Sequence, residues 1–174
     1  MVIREYRKED LYSVAKIHVD TWNSTYLNIV PKTYLESRTY EAQKKKWIDR
    51  LFNNEDTKEF MFVAENENGD VVGFSTGSLN DLGSEFDSTL YTIYILKDYQ
   101  NNGLGKSLMK VVASKLILLG AKNMVLSAFA ENKACDFYEH LGGKKGNQNI
   151  VNIEGIDLIE INYEWEDINC LVEI

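Results

Sequence analysis

Thr89-Leu90-Tyr91-Thr92-Ile93-Tyr94-Ile95-Leu96 is a run of β-branched and aromatic residues, and three residues later Gln100-Asn101-Asn102-Gly103-Leu104-Gly105-Lys106-Ser107 opens a new pattern. The first segment reads as a central strand. After the glycines, Leu104, Leu108, Val111, Val112, Leu116 and Leu119 mark one face of a helix that Gly120 closes. The order is therefore strand, glycine turn, amphipathic helix. Two glycines let a backbone turn tightly and approach a ligand. The free N–H groups of a helix N-terminus, with the helix dipole, favour an anion. From the residues alone this is a phosphate cradle, although the same glycines also suit a strand–helix turn that binds nothing. A Walker loop would need glycine at position 100, where Gln100 stands, and a dinucleotide fingerprint would need it at position 108, where Leu108 stands.

Upstream, Val2 to Tyr6 is a short β-rich run, and Leu11, Val14, Ala15, His18 and Trp22 share one helical face. Pro31 sits where a second helical stretch begins, and Glu41 to Phe52 reads as a third helix. Glu59 to Glu65 and Val71 to Ser78 flank Asn66-Glu67-Asn68-Gly69-Asp70 as a hairpin. Downstream come a strand over Lys122 to Phe129 and a short helix over Lys133 to Leu141, with Asn132 placed to cap it. Asn149 to Ile153 and Asp157 to Trp165 form a terminal hairpin. No repeat or linker divides this order, so one domain over residues 1–174 is expected. Its fold class is α/β (α+β): one twisted sheet of about seven mostly antiparallel strands with helices on both faces.

Of the 174 residues, 44% are apolar, enough to fill a core. The formal net charge of −8 disfavours nonspecific binding to nucleic acid or anionic membrane and leaves cationic partners open. Glu59 to Leu96 holds seven acids and Gly146 to Ile174 seven more, with no Lys or Arg in either stretch. Such a rim attracts a cationic amine, and it equally suits a solvated surface. Cys135 and Cys170 have neither metal-ligand nor disulfide-framework spacing, and Cys135 reads as a small buried residue. The N-terminus is charged from Arg4 and lacks an apolar leader run, so a soluble cytoplasmic protein is expected.

Gln-x-x-Gly-x-Gly after the strand resembles the acetyl-CoA loop of the GNAT superfamily of acetyltransferases. Asn132-Lys133-Ala134-Cys135-Asp136-Phe137-Tyr138-Glu139-His140-Leu141-Gly142 resembles the family's downstream N-x-x-A-x-x-F-Y-x-x-x-G element. The element order matches along nearly all of the chain. The stretches His18 to Pro31 and Gly142-Gly143-Lys144 are similar to a bacterial subgroup whose acceptors are mostly undefined.

This resemblance implies an acetyl-CoA-dependent N-acetyltransferase that uses no metal. By similarity, the amides of Asn101, Asn102, Gly103, Leu104, Gly105 and Lys106, in the loop from Gln100 to Ser107, hold the CoA pyrophosphate. Ile93, Tyr94 and Ile95 line the pantetheine arm, and the Ile95 amide faces the thioester oxygen. Asn132 contacts the pantetheine, or simply caps its helix. Tyr138 protonates the departing thiolate, or is an aromatic core residue. Trp22 and Tyr26 border the acceptor pocket, or pack on the sheet, and a lone buried His18 reads as core. Where many relatives carry Glu, this chain has Thr89, so Glu85, Asp87 or a water chain must serve as base. The acceptor is a small-molecule or protein amine, and a homodimer through the terminal hairpin is implied. Two other readings remain: a GNAT-like module that binds acyl-CoA without turnover, suggested by Thr89, and a nucleotide phosphate site at Gly105-Lys106-Ser107.

Overall fold

The segments Phe60–Glu65 and Val71–Leu79 are apolar or small at nearly every position and are buried on both faces, because each face of the sheet finds its own helices. The computed structural model describes residues 1–173. Its strands are β1 (Val2–Glu5), β2 (Phe60–Glu65), β3 (Val71–Leu79), β4 (Ser88–Ile95), β5 (Met124–Phe129), β6 (Lys144–Ile153) and β7 (Ile156–Trp165). They form a single sheet in the order β1-β2-β3-β4-β5-β7-β6. Only β4 and β5 run parallel; every other neighbouring pair is antiparallel.

Helices α1 (Leu11–Thr25), α2 (Lys32–Glu36) and α3 (Tyr40–Leu51) precede the β2–β3 hairpin. Leu11, Val14 and Ile17 of α1 and Trp47 of α3 cover Val63 and Phe74 on one face. Helices α4 (Leu104–Leu118) and α5 (Ala134–His140) cover the other. There Met109, Val112, Leu116 and Tyr138 pack on Leu90, Leu126, Ile161 and Tyr163. The expected mixed sheet with helices on both faces is what the chain forms. No helix of the described residues is long and apolar enough to cross a membrane.

The feature that positions the site is the parting of β4 from β5. β3 and β4 pair from Gly73↔Ile95 to Leu79↔Ser88, with a shift between Thr76↔Thr92 and Gly77↔Leu90 that leaves Tyr91 as the extra residue. Such a bulge bends its strand and increases its twist. β4 and β5 consequently meet only at Thr89↔Val125. That closed end is clamped. Ser88 Oγ donates to the Asn123 carbonyl at 2.7 Å, the Asp87 amide donates to Asn123 Oδ1 at 2.7 Å, and the Lys122 amide donates to the Asp87 carboxylate at 2.9 Å. Beyond it the strands diverge. At the open end Tyr26 and Val30, from the segment joining α1 to α2, and Leu35 of α2 pack on Phe129, Ile153 and Leu158. Thr33 Oγ1 donates to Glu154 in the β6–β7 turn at 2.7 Å, tying this roof to the hairpin.

One expected boundary moves. β6 begins at Lys144, not Asn149, because Lys144 and Lys145 pair with Glu164 and Tyr163 across an irregularity before Gln148. Gly146 lies in that irregularity, where a Cβ would collide with the Glu164 carboxylate. Two lysines and a glycine hide the strand from a reading by hydrophobic alternation.

Candidate active site

The loop before α4 is built to present amides. Asn101 (φ 61°) and Gly103 (φ 78°) both adopt left-handed backbone, which asparagine and glycine tolerate best. The first helical bond runs from the Ser107 amide to the Gly103 carbonyl at 3.1 Å. The amides of Leu104, Gly105 and Lys106 therefore precede the helix's own ladder, and a turn of this kind gathers N–H groups into an anion-binding concavity. Asn101, Asn102, Gly103, Lys106 and Ser107 are exposed, while Leu104 is buried under the loop. Gly105 is required by closeness: a Cβ there would come within 3.2 Å of the Phe137 ring and 3.6 Å of Ile95 Cδ1. The loop thus sits directly against β4 and α5.

Gln100 turns back and donates from Nε2 to the Ile95 carbonyl at 2.8 Å. The Leu96 amide donates to the Val72 carbonyl at 2.9 Å, which sets the phase of the β3–β4 ladder. Counting back by two, the amides of Tyr94 and Thr92 also face β3, and those of Ile93 and Ile95 face the gap toward β5. Side chains alternate as well. Ile93 and Ile95 lie on the α4 side, whereas Tyr94 lies on the α1 side. There the Tyr94 hydroxyl accepts from Trp22 Nε1 at 2.9 Å, and its ring centroid lies 4.8 Å from His18. The three expected groove residues share the gap through their main chain, not through a common side-chain wall.

Tyr138 is buried on α5, 5.5 Å from the Tyr163 ring centroid. Burial pushes its phenol well above the ordinary value of 10, and the nearby Tyr94 and Tyr26 hydroxyls push the same way. It is therefore protonated across the physiological range. Asn132 does two things at once: Oδ1 accepts from the amide of Ala134, the first residue of α5, at 2.9 Å, and Nδ2 donates to the Tyr26 hydroxyl at 2.8 Å; the N-cap position itself is taken by Lys133. Cys135 is buried, with Sγ 3.3 Å from the Phe129 carbonyl.

The wall opposite β4 is aromatic. Trp22 lies 4.6 Å from Tyr26 and 6.0 Å from Tyr34 between ring centroids, and Tyr26 lies 5.8 Å from Phe129. His18 is buried and accepts at Nε2 from Arg38 Nη2 at 2.8 Å. Burial, and then the positive charge of Arg38, push its imidazole down to about 3. It is a neutral core residue whose lone pair is occupied.

The carboxylates considered as bases are placed differently. Asp87 belongs to the clamp at the closed end, and Glu85 is exposed in the preceding loop. Thr89 Oγ1 donates to Asn80 Oδ1 at 2.9 Å. Arg38 and Tyr34, between α1 and α3, join this wall without any signal in the sequence that singles them out. No group of three or more His, Cys, Asp or Glu side chains among the described residues is arranged to hold a metal ion.

A seven-stranded sheet parted at β4–β5, with a glycine loop at the head of the following helix, is the fold of the GNAT acetyltransferases. The chain belongs to the GNAT acetyltransferase family, whose model matches residues 6–143. It is 31% identical over 172 residues to the uncharacterized N-acetyltransferase YuaI of Bacillus subtilis (strain 168), covering 98% of this chain and 96% of that protein. It is 24% identical over 121 residues to the spermidine N(1)-acetyltransferase of Thermoplasma acidophilum, covering 67% of this chain and 73% of that one. Among solved structures, the PaiA N-acetyltransferase of Thermoplasma acidophilum in complex with coenzyme A superposes with a TM-score of 0.67 at 18% identity, covering 94% and 98% of the two chains. Acetyl-CoA is the donor that this family uses.

Proposed function

We propose that the chain is one catalytic domain that transfers the acetyl group of acetyl-CoA to a primary amine by direct attack in the β4–β5 gap. Two observations support this reading: by the ladder phase the Ile95 amide faces away from β3, and the Tyr138 phenol is held protonated by burial with Tyr94 and Tyr26 as its electrostatic neighbours. The amides of residues 101–106 hold the diphosphate, and Gly105 lets them sit against β4. The exposed main chain of Ile93 and Ile95 pairs with the pantetheine amides as an added strand. Asn132 orients that arm while fixing Tyr26 at the acceptor wall.

The Ile95 N–H donates to the carbonyl oxygen as negative charge develops there. The neutral amine forms the new C–N bond and the C–S bond breaks. Tyr138 gives its proton to the leaving thiolate, and the amine's excess proton passes to water in the gap. Asp87 is committed to its clamp and is not assigned as base.

Replacing Tyr138 with Phe keeps the ring packing and removes only the acid. Turnover, read as CoA release, should fall roughly 10²-fold or more, with acetyl-CoA affinity within about threefold of the parent. Unchanged turnover would remove Tyr138 from this role. Acetyl-CoA binding without CoA release across a broad panel of amines would favour the non-catalytic acyl-CoA module, the reading that Thr89 supports.

A further inference from the structure

Two arginines of this chain are half-buried, Arg4 and Arg38. Arg4 has two carboxylates, Asp10 and Glu65. Arg38 has no carboxylate within ion-pair distance among the described residues. Nη1 donates to the Tyr34 hydroxyl at 3.1 Å, Nη2 donates to His18 Nε2 at 2.8 Å, and Nε is buried with no partner. Its Cζ stands 4.1 Å over the Trp22 ring and 5.5 Å from Tyr34. Because a guanidinium has no acceptor, His18 must meet it with a lone pair and so stays neutral. The positive charge is thus held by neutral partners only. A cationic donor left partly unpaired in a desolvated place is costly unless something else completes it.

The position says what completes it. Trp22, on which the guanidinium stacks, also donates to the Tyr94 hydroxyl, and the Tyr94 phenol is an electrostatic neighbour of Tyr138. Arg38 is an electrostatic neighbour of that same Tyr94 phenol, and two aromatic rings, Trp22 and Tyr94, lead from it to Tyr138. It also lines a cavity of about 460 Å³ with Val19, Asn23, Leu27 and Leu35, open to solvent. Lys32 and Glu36 of that cavity pair with each other at 3.1 Å, so Arg38 is its uncompensated charge. A carboxylate fits a guanidinium through two parallel bonds. A molecule carrying both a carboxylate and an amine is neutral overall, and a chain of net charge −8 does not repel it.

We infer that the acceptor is an amino acid or a close analogue, with Arg38 binding its carboxylate while its amine faces the gap. This rests on the transfer reading above and narrows its substrate class, setting it apart from polyamines.

The test compares each standard amino acid with its own C-terminal amide, together with spermidine and cadaverine, as acceptors for the parent, Arg38→Gln and Arg38→Lys. For the best acceptor, the parent should favour the acid over its amide by at least about tenfold in kcat/KM. In Arg38→Gln that ratio should fall below about threefold, through KM rather than kcat. Arg38→Lys should recover part of the preference, which a merely structural role would not predict. Calorimetric binding of the same pairs to the CoA complex separates the two readings. Preferential binding of acids that Arg38→Gln abolishes, without any turnover, keeps Arg38 as the carboxylate-binding group and overturns acetyl transfer. Turnover of polyamines or amides equal to that of the acids keeps transfer and overturns this inference. So does an acid preference that survives Arg38→Gln, or the absence of both binding and turnover for every acid.

Discussion

Arg4 and Arg38 lie on the same side of the sheet's first half, and both are half-buried, yet their surroundings are opposites. Arg4 is gripped by both Asp10 oxygens, at 2.7 and 3.0 Å, and by Glu65, and Asp10 also accepts the Arg7 amide at 2.6 Å. Every charge at that corner has a counter-charge, and its task is to join β1, β2 and the start of α1. Arg38 is gripped by rings and neutral groups. A closed ion network of this kind is structural, while a cation completed only by neutral partners leaves a valence for something that arrives later.

The difference is testable through stability. Asp10→Ala strands the Arg4 guanidinium and the Arg7 amide, and should cost about 3 kcal/mol in urea unfolding. Acetyl-CoA affinity should not change. A loss under about 1 kcal/mol would mean that the corner is not held by its charges.

Acid should act at both places. His18 is held near 3 in the folded chain against about 6.5 unfolded, so the unfolded state binds the extra proton between those values. Stability from this residue is complete above about pH 6.5 and is lost as pH falls toward 3, by at most about 1.4 kcal/mol per pH unit. Asp10, lowered by its bonds to Arg4, keeps its contribution above the ordinary carboxylate range and loses it as pH falls through its depressed value. His18→Gln offers Arg38 an acceptor that does not titrate. It should flatten the stability profile between pH 6.5 and 4 while leaving the Asp10 limb in place. An unaltered profile would show that His18 takes up its proton in the folded state.

The smallest effect is expected at Arg38 itself. Arg38→Met keeps apolar contact with Trp22 and removes an unpaired donor, so thermal or urea stability should shift by less than about 1 kcal/mol. A loss above about 2 kcal/mol would make Arg38 structural like Arg4 and erase the contrast.

Much of the architecture was legible from periodicity. The β4 segment announced itself by its β-branched and aromatic run, and α4 by its leucine stripe and closing glycine. Asn132 was read as a cap and does accept the Ala134 amide. The early half of β6 was not legible, because Lys144, Lys145 and Gly146 carry no alternation and are extended only by pairing with β7. At the site, the loop from Gln100 to Ser107 was visible because its glycines follow a strand. Arg38 was invisible because Ser37-Arg38-Thr39 is an ordinary junction between two helices. Its partners His18 and Trp22 come from α1, some twenty residues earlier, and only packing brings them together.

By itself, the order of residues determined most of the strands and helices, where the glycine turn before α4 lies, and that the chain is acidic. These are properties of local backbone preference, hydrophobic spacing and composition. Tertiary structure alone decided that the bulge at Tyr91 parts β4 from β5, that Tyr94 meets Trp22 and His18 of α1, and that Arg38 stands without a counter-charge above Trp22. Each depends on which distant segments end up as neighbours, and a charge acquires its meaning only from the partners that folding supplies.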